Sequence, residues 1–128
     1  MIDHTGIAVS DPKKSREFYE KALAPIGYKV LAEIPLEFTG GKVVLGLGEA
    51  PKPDFWLAEG KPNEPRIHVC FRTDARSKID EFHKAAIAAG GKDNGPPGIR
   101  AHYHKNYYAA FVHDPDGHNV EVVCHDEA

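Results

Sequence analysis

The chain has 128 residues, with 16 Lys plus Arg against 19 Asp plus Glu and a formal net charge of -3. This length fits one domain with its own core, and the scattered basic residues argue against a nucleic-acid surface. The first residues lack the basic and apolar regions of a signal peptide, and no stretch approaches the roughly 20 apolar residues of a membrane span. Cys70 and Cys124 lie in apolar stretches. We therefore expect two small buried hydrophobes, no disulfide, and a cytoplasmic location.

The chain carries one strand-then-helix pattern twice. In the first copy an alternating strand precedes Asp11-Pro12, which is typical of an N-cap and a first helical position. In the second copy the strand "RIHVCFRT" precedes Asp74, the expected cap, and Gly90-Gly91 ends the helical pattern. Residues match at an offset of 64, which indicates an internal duplication. The matched pairs are His4 with His68, Lys14 with Lys78, Glu17 with Glu81, Phe18 with Phe82, Ala22 with Ala86 and Gly27 with Gly91.

Short strand-like runs follow each helix, separated by Gly and Pro clusters. We therefore predict an α+β domain of two βαβββ repeats, residues 1–63 and 64–128, joined near "NEPR" at 63–66. Asp114-Pro115-Asp116-Gly117 predicts a hairpin turn between the last two strands. The runs are "YKVLAEI", "KVVLGLG" and "DFWLAEG" in the first half, and a weaker one near Gly98 to His102, "NYYAAFV" and "HNVEVVC" in the second.

Alternation along the strands predicts which side chains share a face. If the bulky residues lie under a helix, His4, His68 and Glu121 fall on the open face among small or apolar neighbours. Buried imidazoles and carboxylates need partners, because an unpaired polar group costs a few kcal/mol. A divalent cation would satisfy all three.

The strand "IDHTGIAVSD", the strand "HVCFRTD" and the hairpin "FVHDPDGHNVEVV" resemble the vicinal oxygen chelate superfamily of glyoxalases, bleomycin-resistance proteins and extradiol dioxygenases. The resemblance implies a curved, mostly antiparallel sheet around a cleft, often completed by a homodimer. It implies His4, His68 and Glu121 as ligands of a divalent ion such as Fe, Zn, Ni or Mn. The fourth position of glyoxalase I falls at Trp56 or Leu57, which cannot coordinate a metal, and Glu59 would replace it only after a two-residue slip.

Two histidines and one carboxylate match the facial triad of non-haem Fe(II) oxygenases. The resemblance also places His102 near the metal, where it is a candidate acid or base together with Glu121 as a catalytic residue. Three alternatives remain for His102 and His104. They would lie on a loop at the edge of the substrate site, bind a second metal ion together as a metal clip, or belong to a solvent-exposed loop. The candidate substrate-binding residues are Arg72, Trp56, Tyr103 and Tyr107.

Two functions remain open at this point. The first is a metal-dependent enzyme that chelates vicinal oxygens of a small substrate, either as a lyase or isomerase or as an extradiol-type dioxygenase. The second is a metal-free protein that sequesters a small molecule, as antibiotic-resistance members of the superfamily do. Trp56 and the tyrosines favour the second function, whereas the complete set of two histidines and a glutamate favours the first.

Overall fold

The computed structural model describes residues 1–127 and contains two helices and eight strands. Each half of the chain has the order βαβββ, as predicted. Two short 3-10 helices, Ala24–Ile26 and Leu36–Phe38, lie in the first half. No helix in residues 1–127 has the length and apolar character needed to span a membrane. The elements are β1 Thr5–Val9, α1 Pro12–Ala22, β2 Lys29–Glu33, β3 Val44–Gly48, β4 Phe55–Glu59, β5 His68–Arg72, α2 Arg76–Ala88, β6 Lys92–Ile99, β7 Tyr108–His113 and β8 Asn119–Cys124.

The eight strands form two mixed four-stranded sheets. The first sheet has the order β1-β4-β3-β2 and the second has the matching order β5-β8-β7-β6. The first and last strands of each half pair in parallel, and the remaining neighbours are antiparallel. The α+β class and the two modules are therefore confirmed. The matching strand orders agree with the internal duplication.

One core lies between the two sheets and the two helices, which pack against each other. Strand β1 contributes Ile7 and Val9 to this core, and β5 contributes Phe71, so the predicted alternation is correct. Phe55 of the first module contacts Phe71 of the second, with ring centroids 5.2 Å apart. Apolar side chains from both modules thus pack as one unit, and the opposite face of each sheet is left for other contacts.

Three local expectations are corrected. The N-cap of α2 is Ala75, with no side-chain hydrogen bond, because Asp74 lies one residue too early; its carboxylate instead accepts from Lys78 Nζ at 3.0 Å. The strand expected near Gly98 to His102 is β6, which runs from Lys92 to Ile99 with two irregularities of register. Both cysteines are free, but Cys70 is exposed on the open face of β5, while Cys124 is buried.

Polar contacts also join the two modules. The buried His118 ring accepts from the Ile67 backbone N–H at 3.0 Å through Nδ1 and donates to the Ala8 carbonyl at 2.9 Å through Nε2. Nearby, the Tyr19 hydroxyl of α1 donates to Asp114 Oδ2 at 2.5 Å. Asp114 Oδ1 also accepts from the His118 backbone N–H at 2.8 Å. The predicted hairpin turn is therefore fixed to the first module through buried side chains.

Tyr19→Phe is expected to change how stability depends on alkaline pH. Burial, followed by the nearby Asp114 carboxylate, raises the pKa of the Tyr19 hydroxyl well above its ordinary value. Above about pH 10 the unfolded chain loses this proton and the folded protein keeps it, so stability falls as pH rises, by about 1.4 kcal/mol per pH unit for one group. In urea unfolding the stability gap between wild type and Tyr19→Phe should therefore narrow above about pH 10. Tyr103→Phe, at an exposed position, is the control, and its stability difference from wild type should not change with pH. A stability difference for Tyr19→Phe that also stays constant with pH would contradict this account.

Candidate metal site

The open face of the second sheet brings a histidine and a glutamate together. Strands β5 and β8 pair in parallel, which places Cys70 opposite Glu121 and His68 one step away on the same face. His68 Nε2 donates to Glu121 Oε1 at 2.8 Å. Glu121 is 1% exposed, whereas the side chain of His68 is 53% exposed. Solvent therefore reaches the pair from the imidazole side, and the carboxylate forms its floor.

The second oxygen of Glu121 is bound by a tyrosine. Tyr107 lies immediately before β7, and its hydroxyl donates to Glu121 Oε2 at 2.5 Å. Desolvation, followed by this hydrogen bond to the carboxylate, raises the pKa of the Tyr107 hydroxyl. The phenol therefore keeps its proton at neutral pH and remains a donor. Both oxygens of the buried carboxylate are thus satisfied, which lowers the cost of burial.

Cys70 lies beside the pair and was not among the predicted site residues. Although Cys70 is exposed, desolvation of its thiol and the adjacent Glu121 carboxylate raise the pKa of the thiol. A thiol with a raised pKa is a poor nucleophile at neutral pH. The contact of Cys70 with Glu121 follows from the strand register, which pairs these two residues.

His4 does not join His68 and Glu121 within the described chain. It precedes β1, and its Nδ1 donates to Asp3 Oδ2 at 2.7 Å. In residues 1–127 no group of three or more His, Cys, Asp and Glu side chains has an arrangement that could hold a metal ion. His4 and Cys70 do line one groove of about 300 Å³. Two of the three expected ligands are therefore adjacent, and the third lies on the rim of a neighbouring groove.

The strand register identifies the residue at the fourth ligand position. Gly6 pairs with Trp56 in the first sheet as Cys70 pairs with Glu121 in the second, so Trp56 is the counterpart of Glu121. A Cβ added at Gly46 would lie 2.8 Å from the Trp56 ring, which shows that the indole packs directly over Gly46. Glu59 is also engaged elsewhere, since its Oε1 accepts from the Val43 backbone N–H at 2.9 Å. Neither side chain approaches the His68–Glu121 pair as a ligand.

The remaining candidates lie around the pair on loops and strand ends. Arg72 is exposed and lines a pocket of about 460 Å³ together with His125. His102 lies in a turn and packs on the Tyr103 ring, with centroids 4.2 Å apart; no hydrogen bond joins it to Glu121 in the described residues. Tyr103 is exposed and contacts the Tyr107 ring at 4.7 Å. These rings form a rim beside the pair.

His104 pairs with His125, which was not among the predicted site residues. His104 Nε2 donates to His125 Nδ1 at 2.6 Å, and the Asn106 backbone N–H donates to His104 Nδ1 at 3.1 Å. A metal on His104 Nε2 would require the ring proton to be on Nδ1, where it would face the Asn106 N–H. This arrangement disfavours the second metal clip and favours a hydrogen-bonded pair.

Comparisons with known proteins agree with this architecture. The sequence profile of the Glyoxalase/Bleomycin resistance protein/Dioxygenase superfamily matches residues 1–122. Glyoxalase I of Saccharomyces cerevisiae is 28% identical over 147 aligned positions, which cover 97% of this chain and 43% of the yeast protein. The chain therefore spans less than half the length of this relative.

Solved structures show the same fold at low sequence identity. A glyoxalase/bleomycin resistance protein from Albidiferax ferrireducens T118 has a TM-score of 0.68 and 22% identity, covering 95% of this chain and 96% of that one. The fosfomycin resistance protein FosX of Listeria monocytogenes, in complex with Mn(II) and 1S,2S-dihydroxypropylphosphonic acid, has a TM-score of 0.70 and 16% identity, with 98% and 90% covered. A glyoxalase I variant from Zea mays has a TM-score of 0.71 and 19% identity, with 99% of this chain but 45% of the maize chain covered.

Proposed function

The chain belongs to the Glyoxalase/Bleomycin resistance protein/Dioxygenase superfamily, and from this membership we propose that it is a divalent-metal-dependent enzyme acting on a small substrate with two vicinal oxygens. The observation that carries the proposal is the buried Glu121 carboxylate facing the exposed His68 imidazole at 2.8 Å. We assign the reaction to the lyase and isomerase class or to extradiol-type ring cleavage. The free cysteines are consistent with a reducing cytoplasm.

The donor types at the pair suit a divalent transition metal. Imidazole and carboxylate together bind Zn, Fe, Ni and Mn, and binding through His68 Nε2 would require the ring proton to lie on Nδ1. When bound, the ion supplies Lewis-acid stabilisation of negative charge on the substrate oxygens. In this proposal Arg72 would pair with an anionic substrate group, and Tyr103 and Trp56 would pack against the substrate. His102, on the rim, would carry a proton between substrate and solvent.

His4 is proposed as the third ligand, contributed by the second copy of a homodimer. In one chain His4 is exposed and bound to Asp3, away from His68 and Glu121. The maize and yeast glyoxalase I chains are more than twice as long as the matched part, so each has room for two such units. Two copies of this chain would supply as many modules as one such glyoxalase I chain has room for. In such a dimer, His4 of one copy would complete the site formed by His68 and Glu121 of the other.

Mixing two inactive variants tests this assignment of His4. His4→Ala and His68→Ala should each lose metal binding, but a refolded mixture should regain it, because one heterodimer site combines His4 from one chain with His68 and Glu121 from the other. A random mixture restores about one quarter of the wild-type sites, since half the dimers are mixed and each has one intact site. Metal content per dimer, measured after removal of free ion, gives this fraction. If the mixture holds no more metal than the two variants measured separately, either all three ligands lie in one chain or His4 is not a ligand.

Calorimetric titration with Zn²⁺ and Mn²⁺, and anaerobically with Fe²⁺, tests the metal requirement itself. We expect one ion per chain. If the protein binds none of these ions under any of these conditions, the proposal of a metal-dependent enzyme is contradicted.

A metal-free binding protein is the second candidate, favoured by the aromatic rings that border the pair. His102, Tyr103 and Tyr107 pack in succession along the rim. Such a surface can stack on a planar ligand. Saturable binding of a planar small molecule by protein that takes up no metal would support this candidate, whereas ligand binding that depends on the ion would exclude it.

A further inference from the structure

The hydrogen-bonded pair of His104 and His125 has no role in the proposed function, and it joins the loop between β6 and β7, residues 100–107, to the chain beyond β8. We propose that the two rings form an acid-sensitive latch. The latch holds this loop closed while both rings are neutral and releases it when either ring takes up a proton. This role is independent of the proposed function, because it involves neither His68 nor any bound ion.

Two hydrogen bonds determine where the protons lie on these rings. The Asn106 backbone N–H donates to His104 Nδ1 at 3.1 Å, so that nitrogen carries no proton. The proton of the His104 ring is therefore on Nε2, which donates to His125 Nδ1 at 2.6 Å. His125 in turn carries its proton on Nε2. Both hydrogen bonds are satisfied together only when both imidazoles are neutral.

An added proton breaks one of these bonds, whichever ring takes it. On His104 the proton goes to Nδ1, where it faces the N–H of Asn106. On His125 it goes to Nδ1, where it faces the Nε2 proton of His104. Moving the His104 proton to Nδ1 restores the contact between the rings but leaves the Asn106 N–H without its acceptor. A second proton adds the repulsion between two cationic rings that stack 4.9 Å apart.

The latch also encloses Tyr107, which connects the loop to Glu121. The Tyr107 ring meets the rings of His104 and His125 edge-on, with centroids 5.5 and 5.4 Å apart. Its hydroxyl donates to Glu121 Oε2 at 2.5 Å, and Glu121 is 1% exposed. At the base of the loop the Arg100 N–H donates to the Tyr107 carbonyl at 2.7 Å. Release of the two histidines therefore frees the tip of the loop, removes two rings from around Tyr107 and gives water access to Glu121.

The groups around the latch allow both rings to be protonated. His104 and His125 are exposed, and so is Lys105, whose charge is screened by solvent. Tyr107, which contacts both rings, stays neutral because desolvation and its hydrogen bond to Glu121 raise the pKa of its hydroxyl.

His125 also lines the pocket of about 460 Å³, where negative charge exceeds positive charge. In that pocket Lys78 pairs with Asp74 at 3.0 Å. The remaining charged groups are one cation and two carboxylates, namely Arg72, Glu49 and Asp126. This excess of negative charge stabilises a protonated His125 that has left His104.

The closed loop is therefore favoured above the pH range in which imidazole titrates and is lost as the pH falls through that range. An imidazole in water takes up its proton at about pH 6.5. Because the open loop binds protons that the closed loop does not, the ratio of closed to open loop falls with pH. Between pH 7.5 and 5.5 the fall is about 10-fold if one ring is protonated and about 100-fold if both are.

Amide hydrogen exchange of the loop at pH 7.5 and 5.5, corrected for the intrinsic effect of pH on exchange, tests the latch. The loop amides of Tyr103, Asn106 and Tyr107 donate hydrogen bonds within the loop, so their protection reports its closed form. We expect wild type to lose about 10- to 100-fold of this protection at pH 5.5. The amides of α2 should keep their protection at both pH values.

Three variants separate the latch from other effects of acid. In the double variant His104→Gln/His125→Asn, a side-chain amide N–H replaces the Nε2 donor and a side-chain oxygen replaces the Nδ1 acceptor, and neither group titrates. Its loop should be equally protected at both pH values, whereas the loop of His104→Ala should be open at both. His83→Ala is the histidine control, because His83 pairs with Asp93 at 2.9 Å and lies outside the loop. It should respond to pH as wild type does.

Three results would overturn the latch. The first is equal protection of the wild-type loop at the two pH values. The second is a loss of protection at pH 5.5 that persists in the double variant, because another group would then open the loop. The third is a loop in His104→Ala that is as protected as wild type at pH 7.5. Circular dichroism of each variant at both pH values confirms that the fold is retained.

Discussion

His68→Ala and Glu121→Gln should each weaken Zn²⁺ binding by more than about 100-fold, since even the loss of a partner outside the ligand set costs about 10- to 100-fold. Each substitution removes one proposed metal ligand from the pair, in which His68 Nε2 and Glu121 Oε1 lie 2.8 Å apart. Glu121→Gln keeps the shape of the side chain and its acceptor for Tyr107 but removes the negative charge. The measurement is competition for Zn²⁺ against a chelating dye, which reads affinity without reference to catalysis.

His83→Ala provides the histidine control for this comparison. His83 lies on α2, and its Nε2 donates to Asp93 Oδ1 at 2.9 Å, remote from the open face of β5 and β8. The variant should bind Zn²⁺ as wild type does. Equal losses in His68→Ala and His83→Ala would point to nonspecific imidazole binding, and no loss in His68→Ala would remove the pair from the metal site.

His118→Ala should lower the free energy of unfolding by about 3 kcal/mol or more. The substitution leaves the Ile67 N–H and the Ala8 carbonyl without their partner, and each unsatisfied buried group costs about 1–3 kcal/mol. The lost ring also leaves a cavity, which adds to that cost. Because the bond to Ala8 joins the first module to the last hairpin, we expect the two modules to separate more readily. Urea unfolding at neutral pH measures the change directly.

His113→Ala is the matched control at the other end of the same turn. The His113 side chain is partly buried and forms no hydrogen bond in residues 1–127, so the cost should stay below about 1 kcal/mol. Equal effects at both positions would show that the turn, and not the contact between modules, is what His118 supports.

Local alternation made the pairing of His68 with Glu121 predictable from sequence. Side chains in a strand alternate with a period of two, so His68 and Glu121 could be placed on one open face without knowledge of the tertiary structure. The repeated βαβββ order then brought their strands together, because the first and last strands of a module are neighbours in the parallel register. The matching strand order of the two sheets agrees with the duplication.

The surroundings of the pair depend on chain paths that no local pattern specifies. Tyr107 reaches Glu121 from a turn before β7, and His125 lies just beyond β8, so their meeting depends on how the loop of residues 100–107 folds back. His4 lies before β1, where the single chain holds it at Asp3. The Asp74 cap was wrong because a one-residue shift changes the capping position while leaving the helical stripe intact. The alternating pattern predicted the floor of the site but not its rim.

Elemental analysis of the native protein, purified without chelator or a nickel column and compared with Glu121→Gln, tests the central claim most directly. The account predicts about one transition-metal ion per chain in wild type, lost in the variant, and the identity of that ion would choose between ring-cleavage assays for iron and lyase or isomerase assays for zinc, nickel or manganese. Native protein without metal that also fails to take up Fe²⁺, Zn²⁺, Ni²⁺ or Mn²⁺ in a Glu121-dependent manner would contradict it.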